Sequence, residues 1–268
     1  MLELKIEITD DSKKSSIDRL NLLKKTFETI TDLTEETDIN ITQDGLSIQA
    51  MDNMQIMYAD IFLSKNIFSS YRCDRNLVLG LKTKVFLNVL KGIRLENFKY
   101  FLMSCEDNAE ILNITVENTD CTISKKLTLF SFDKEAFNIP DLEYDVSVKM
   151  PMEFFLFLQK SITESGEFLQ FCASKDNLTL KVKGEMVSSK IEVRTTGENA
   201  QAELQCLASA EKVLPIKFIN SIAKSAQLGE SVDIKFSSET PVFFGVTMGE
   251  MGRVKYYVAP KEVEEDEE

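Results

Sequence analysis

Leu129-Phe130-Ser131-Phe132-Asp133-Lys134-Glu135-Ala136-Phe137-Asn138-Ile139-Pro140-Asp141-Leu142-Glu143-Tyr144 decides the fold, because it straddles the midpoint of a 268-residue chain whose two halves read as copies. The stretch mixes acids with large apolar side chains, and Pro140 biases Ile139 toward extended geometry. It reads as a long extended connector.

The copies are visible as a fixed offset. Ile30 and Ile162, Asp44 and Asp176, Phe86 and Phe218, and Asn88 and Asn220 are each 132 residues apart, a shared register that indicates duplication. Asp44-Gly45-Leu46-Ser47-Ile48 is matched by Asp176-Asn177-Leu178-Thr179-Leu180, with Gly45 and Asn177 both suited to the positive φ of a tight hairpin. Two unrelated hairpins would give the same local signal. The expected division is 1–129 for a first domain, 130–145 for the connector, 146–261 for a second domain and 262–268 for an acidic tail. At about 130 residues, each domain is large enough to bury its own core.

Period-two alternation opens the chain at Met1 to Ile8, returns over residues 38 to 63, and resumes at Phe98–Leu102, Ile111–Val116 and Cys121–Leu129. A polar turn at Asp10-Asp11-Ser12 precedes a helix carrying Leu20, Leu23, Phe27 and Ile30 on one stripe, with Lys24 and Lys25 off it. After Gly80 a second helix places Val85, Phe86, Val89, Leu90 and Ile93 inward and Lys84, Asn88 and Lys91 outward. The second half repeats this order. Its first helix runs from Met152 to about Thr163 with Lys160 as its only base, and its second puts Phe218, Ile219 and Ile222 inward and Lys217, Asn220, Ser221 and Lys224 outward. The fold class is therefore α+β: two similar domains, each with two helices on antiparallel sheets.

Composition excludes much. The start alternates like a strand rather than a secretory leader, and no apolar run approaches the roughly 20 residues that span a bilayer, so an intracellular soluble protein is expected. The five cysteines are odd in number and contain no Cys-x-x-Cys pair, so buried thiols are expected, with no disulfide framework and no metal site. The chain has no histidine, no Gly-x-x-x-x-Gly-Lys-Ser/Thr and no Gly-x-Gly-x-x-Gly. That removes Ser-His-Asp and Cys-His catalysis and any glycine-loop phosphate cradle; no cofactor and no enzymatic activity are expected.

Net charge is −13, but six of the 44 acids lie in the C-terminal run, which leaves 38 acids against 31 bases in the body. A free nucleic-acid binder is normally basic. Yet all four helices carry outward lysines: Lys24 and Lys25, Lys84 and Lys91, Lys160, then Lys217 and Lys224. One such stripe is an ordinary solvated face. Four on an acidic protein suggest a common surface turned toward phosphates, with acidic strands elsewhere limiting adhesion.

Leu46-Ser47-Ile48-Gln49-Ala50-Met51-Asp52, Tyr71-Arg72-Cys73-Asp74-Arg75-Asn76-Leu77, Glu106-Asp107-Asn108-Ala109, Val148-Lys149-Met150-Pro151 and Met251-Gly252-Arg253-Val254-Lys255-Tyr256-Tyr257-Val258-Ala259-Pro260-Lys261 resemble the eukaryotic-type DNA sliding clamps, the proliferating cell nuclear antigen family. The resemblance covers nearly the whole chain. It implies the DNA-clamp fold, a closed ring of three identical subunits around duplex DNA, and a nuclear processivity factor for DNA polymerases active in replication and repair. Lys24, Lys25, Lys91, Lys160, Lys217 and Lys224 then occupy the channel positions, with Lys84 added from spacing; Asn88 and Phe157 stand where the family tends to be basic.

The resemblance also implies a groove for short peptides of polymerases, clamp loader, ligases and nucleases, formed by Met51, Gln55, Ile56, Phe137, Ile139, Tyr144, Pro241, Tyr257, Val258, Ala259 and Pro260. It places Lys175 at a site modified by ubiquitin-like proteins. Subunits are expected to join the strand near Cys121–Leu129 to the strand near Val187–Arg194 of a neighbour. A subunit of a heterotrimeric DNA-damage checkpoint clamp is the alternative within the fold, and a monomeric interaction scaffold is the alternative outside it.

Overall fold

The computed structural model describes residues 1–8, 13–106, 110–132, 137, 139–140 and 142–261. The turns at Asp10-Asp11-Ser12 and Asp107-Asn108, connector positions 133–136, 138 and 141, and the tail 262–268 lie outside the described residues.

The first half runs β1 (Leu2–Glu7), α1 (Lys13–Leu33), β2 (Glu36–Ile41), β3 (Gly45–Met51), β4 (Met57–Ser64), β5 (Ser70–Cys73), β6 (Leu77–Lys82), α2 (Thr83–Lys91), β7 (Phe98–Cys105), β8 (Ile111–Asn118) and β9 (Thr122–Thr128). The second runs β10 (Val146–Pro151), α3 (Met152–Thr163), β11 (Phe168–Ser174), β12 (Asn177–Lys183), β13 (Ser188–Val193), β14 (Glu203–Cys206), β15 (Ala210–Pro215), α4 (Ile216–Lys224), β16 (Ser231–Phe236), β17 (Val242–Thr247) and β18 (Gly252–Val258). The order of strands and helices is the same in both.

Packing sorts the chain into two compact units, residues 1–50, 60–137 and 249–253 in one, and 51–59, 138–248 and the chain from 254 in the other. In the first unit an antiparallel sheet is ordered β5-β1-β7-β8-β9, and β2 pairs with both β3 and β6. In the second, a sheet is ordered β13-β12-β11-β15, while β10 lies between β14 and β16 and β16 pairs with β17. Alternation sets the faces: Leu2, Leu4 and Ile6 of β1 are fully buried while Glu3, Lys5 and Glu7 are not. Among the described residues one end strand of each of these sheets has a single partner, β9 on β8 and β13 on β12.

The helical stripes dock as their spacing dictates. Leu20, Leu23, Phe27 and Ile30 of α1 are completely buried, and Ile162, Phe86 and Phe218 are buried at their offset positions. Val85 departs from the expected inward face and is 52% exposed. α2 begins at Thr83, whose buried hydroxyl donates to the Thr34 carbonyl at 2.7 Å, and that phase turns Phe86 and Leu87 inward and Val85 out.

Asp44 and Asp176 both fall in hairpin turns, but the turns differ. Gly45 sits at φ +154°, where a Cβ would lie 2.1 Å from the Leu63 carbonyl oxygen, so only glycine fits. Asn177 is not left-handed; it pairs with Ser174 as the first residue of β12, and Lys175-Asp176 makes the turn. Ile56, expected in a strand, lies in the turn before β4. The thiols are not uniformly buried: Cys73 and Cys105 are buried, Cys172 and Cys206 half-buried, and Cys121 exposed in the turn before β9.

The connector is fastened where it leaves the first unit. Phe130 N–H donates to the Gly80 carbonyl at 3.0 Å, Phe130 and Phe132 stack at 5.9 Å, and a Cβ on Gly80 would meet the Phe130 carbonyl oxygen at 2.1 Å. Farther along, the Gln49 side-chain amide clasps the Phe137 backbone, donating to its carbonyl at 3.1 Å and accepting from its N–H at 3.2 Å.

Candidate functional site

In the first unit α1 and α2 pack edge to face through Phe27 and Phe86, whose ring centroids are 4.5 Å apart. Apolar contact fixes the pair, so the outward faces are free to carry charge. Lys25 and Lys91 converge on one carboxylate, Glu28, at 2.8 and 3.3 Å. The Lys25 hydrogen bond, with both lysine charges adding, holds the Glu28 carboxyl below its usual range. Lys24 is half-buried, and burial lowers its pKa, with Lys25 and Lys91 adding to the effect and Glu28 opposing it. Three lysines thus surround one glutamate. Lys84, on the exposed side of α2, lies 3.5 Å from Glu35.

The second unit is built differently. Gln159 of α3 donates to Asn220 Oδ1 of α4 at 2.7 Å, and its amide nitrogen lies 2.8 Å from Thr163 Oγ1. Asn220, expected outward, is instead half-buried in this amide network between the helices, because α3 offers it polar partners. Lys160 and Lys224 are exposed; the Lys217 ammonium stands 4.6 Å from the Phe218 ring centroid and 3.0 Å from Met54 Sδ. Phe157 is 61% exposed and stacks on Phe154 at 6.1 Å. A basic helix pair therefore exists in each unit, stronger in the first.

Of the predicted groove residues, all but Phe137 belong to the second unit. Ala259 N–H donates to the Ile56 carbonyl at 2.8 Å, and Tyr257 sits between Tyr58 (6.1 Å) and Phe243 (5.4 Å), with Tyr144 beyond Phe243 at 6.1 Å. Burial, with the neighbouring Tyr257, pushes the Tyr144 hydroxyl up to about 12, and its oxygen has no hydrogen-bond partner among the described residues. Met51, Ile56, Ile139, Pro241, Tyr257 and Pro260 are half-buried and Gln55 and Ala259 exposed, so the cluster offers apolar surface with a buried acceptor inside it. Val258 is fully buried and belongs to the core beneath.

Sequence reading missed Tyr58 and Phe243, and also what shapes the rim. The Asp52 carboxylate accepts backbone N–H bonds from Met54, Ile56 and Met57 at 3.1, 2.7 and 2.6 Å, which bends the turn and holds Gln55 at φ +57°. A cavity of about 490 Å³ begins at Met54 and Ile56 and extends past Phe168 and Pro215 to Lys217. Lys175 is exposed at the tip of the β11–β12 hairpin.

Two units built in the same order, each with a pair of lysine-bearing helices over antiparallel strands, define the class of the DNA sliding clamps. The family model for the N-terminal domain of proliferating cell nuclear antigen matches residues 14–137 and that for the C-terminal domain residues 138–261. The chain belongs to the proliferating cell nuclear antigen family. It is 26% identical over 254 residues to the Proliferating cell nuclear antigen of Chaetomium thermophilum, an alignment spanning 92% of this chain and 97% of that protein.

Proposed function

We propose that three copies of this chain close into a ring around duplex DNA and hold DNA polymerases on it, in a nucleus. The observation that carries this reading is the lysine-bearing helix pair repeated in both units of an otherwise acidic chain. Lysines at Lys24, Lys25, Lys84, Lys91, Lys160, Lys217 and Lys224 contact phosphates without reading bases, which suits a protein that must slide. Acid elsewhere limits sticking to DNA outside the channel.

The unpaired edges of β9 and β13 support head-to-tail closure. Antiparallel pairing of β9 with β13 of the next copy is heterologous, and a ring removes both edges at once. Retention on DNA then comes from topology rather than affinity, and no bond is made or broken. The Tyr144–Phe243–Tyr257 cluster supplies the apolar floor on which short peptides of polymerases, the clamp loader, ligases and nucleases dock. Lys175, exposed on a hairpin tip, is accessible to a modifying enzyme.

Light scattering at micromolar concentration, followed by loading onto circular and linearised plasmid, tests the reading. A mass near three times 30.5 kDa and retention on circular but not linear DNA are expected. A stable monomer would favour a heterotrimeric clamp subunit or a plain scaffold, and equal retention on both DNA forms would rule out encirclement.

A further inference from the structure

The first unit carries a cavity of about 530 Å³ that the DNA and peptide readings leave unused. It lies among β6, the start of α2 and the end of β9: Leu81, Val85, Leu127 and Phe130 supply apolar surface, and Lys125 and Lys126 bring two positive charges. Val85 and Phe130 are exposed large apolar side chains. Lys82, also at the cavity, is already paired with Glu36 at 2.5 Å. Such a surface beside an unpaired strand marks an interaction site.

A matching projection lies at the β13 edge. The β12–β13 turn carries Met186, 96% exposed, and Val187, 55% exposed, directly before β13. Close contacts hold the base of the turn: Gly184 N–H donates to the Val187 carbonyl at 3.1 Å, a Cβ on Gly184 would meet the Ser165 carbonyl oxygen at 1.9 Å, and Ser165 and Ser189 hydroxyls bond at 2.8 Å. A fixed turn that holds a methionine almost wholly in water pre-organises a contact rather than a core.

We propose that Met186-Val187 of one copy is the plug for the Val85–Leu127–Phe130 socket of the next. This rests on the ring reading. In an antiparallel β9–β13 pair, the start of β13 lies opposite the end of β9, so the residues preceding Ser188 fall against Leu127, Thr128 and the chain just beyond, which line the cavity. The signs of charge also differ: Glu185 is exposed beside Met186, and Lys125 and Lys126 line the socket. The socket and plug thereby add an apolar anchor to a strand pairing that otherwise offers mainly backbone hydrogen bonds.

The test is light-scattering mass against concentration for the full chain, comparing wild type with Met186→Lys, Met186→Glu, and the pair Met186→Lys/Val85→Glu. Because Met186 touches almost nothing in its own chain, the Met186 changes leave the fold of the single chain intact, and a thermal melt of the double variant checks the same for Val85→Glu, at a position 52% exposed. Met186→Lys, repelled by Lys125 and Lys126, is expected to raise the concentration at which the assembly falls apart by at least about tenfold. Met186→Glu should cost less than Met186→Lys, and Val85→Glu should restore much of the loss. An unchanged curve for Met186→Lys in a trimeric background overturns the socket and leaves the ring standing, as does loss without rescue by Val85→Glu. A monomeric wild type overturns both.

Discussion

The two helix pairs solve the same packing problem with opposite chemistry on the side turned away from the sheet. α1 and α2 meet through an edge-to-face phenylalanine pair and leave a lysine cluster tied together by Glu28. α3 and α4 meet through Gln159, Thr163 and Asn220, and expose Phe157 where charge was expected. Several core-facing positions agree at the 132-residue offset, Ile30 with Ile162 and Phe86 with Phe218, but the fully buried Phe27 answers to the half-buried Gln159, and the outward faces differ where no packing penalty applies. The two units are therefore similar as scaffolds and unequal as surfaces.

The scaffold half of that comparison is broken most severely from inside. Phe27→Ala and Phe155→Ala each remove a nearly inaccessible ring, from α1 and from α3, and each should cost about 3–5 kcal/mol. Urea midpoints of the two variants should fall by comparable amounts at unchanged slope. A large loss for one and a small loss for the other would mean the two units do not share a packing scheme after all.

A smaller effect separates the surfaces. Asn220→Ala leaves the Gln159 amide facing a gap and should cost about 1–3 kcal/mol, whereas Asn88→Ala, at the offset position on an exposed face, should change stability by less than about 0.5 kcal/mol. Thermal denaturation of both variants reads the difference directly. Equal losses would show that the asparagines still do the same job.

These comparisons also show where the sequence is legible. The 132-residue register, the inward stripes of α1 and α4, and the strand alternation of β1 could be read because burial writes a period into the chain. Val85 was misplaced because a nine-residue helix offers too few turns to fix its phase, which the buried Thr83 sets through a contact with Thr34. Asn220 was misplaced because its partners come from another helix. The site divides the same way. The lysines are visible as residues off an apolar stripe; the left-handed Gln55 and the triple acceptance by Asp52 form a local side-chain-capped turn that no hydrophobic period records, and the Tyr58–Tyr257–Phe243 cluster depends on strands far apart in sequence. No local pattern encodes that cluster.

The smallest effect in stability is the most informative about function. Glu28→Gln removes the carboxylate that Lys25 and Lys91 share, so the first helix pair should bind DNA more tightly while the protein becomes slightly less stable. Because the group is partly exposed, the loss near neutral pH should be only a few tenths to about 1 kcal/mol. Its pH dependence has a definite sign. The Glu28 carboxyl is held below its unfolded value, so the stabilisation it gives is present above the ordinary carboxylate range and is lost as pH falls through the lowered folded value. The gap between wild type and Glu28→Gln should therefore be full at pH 7 and close on acidification. Duplex affinity measured at several salt concentrations supplies the other half: the variant should bind more tightly at low salt, and its advantage should shrink as salt screens the added net charge. A variant that loses stability without gaining affinity would place Glu28 in structure alone and detach the first helix pair from the DNA-facing surface.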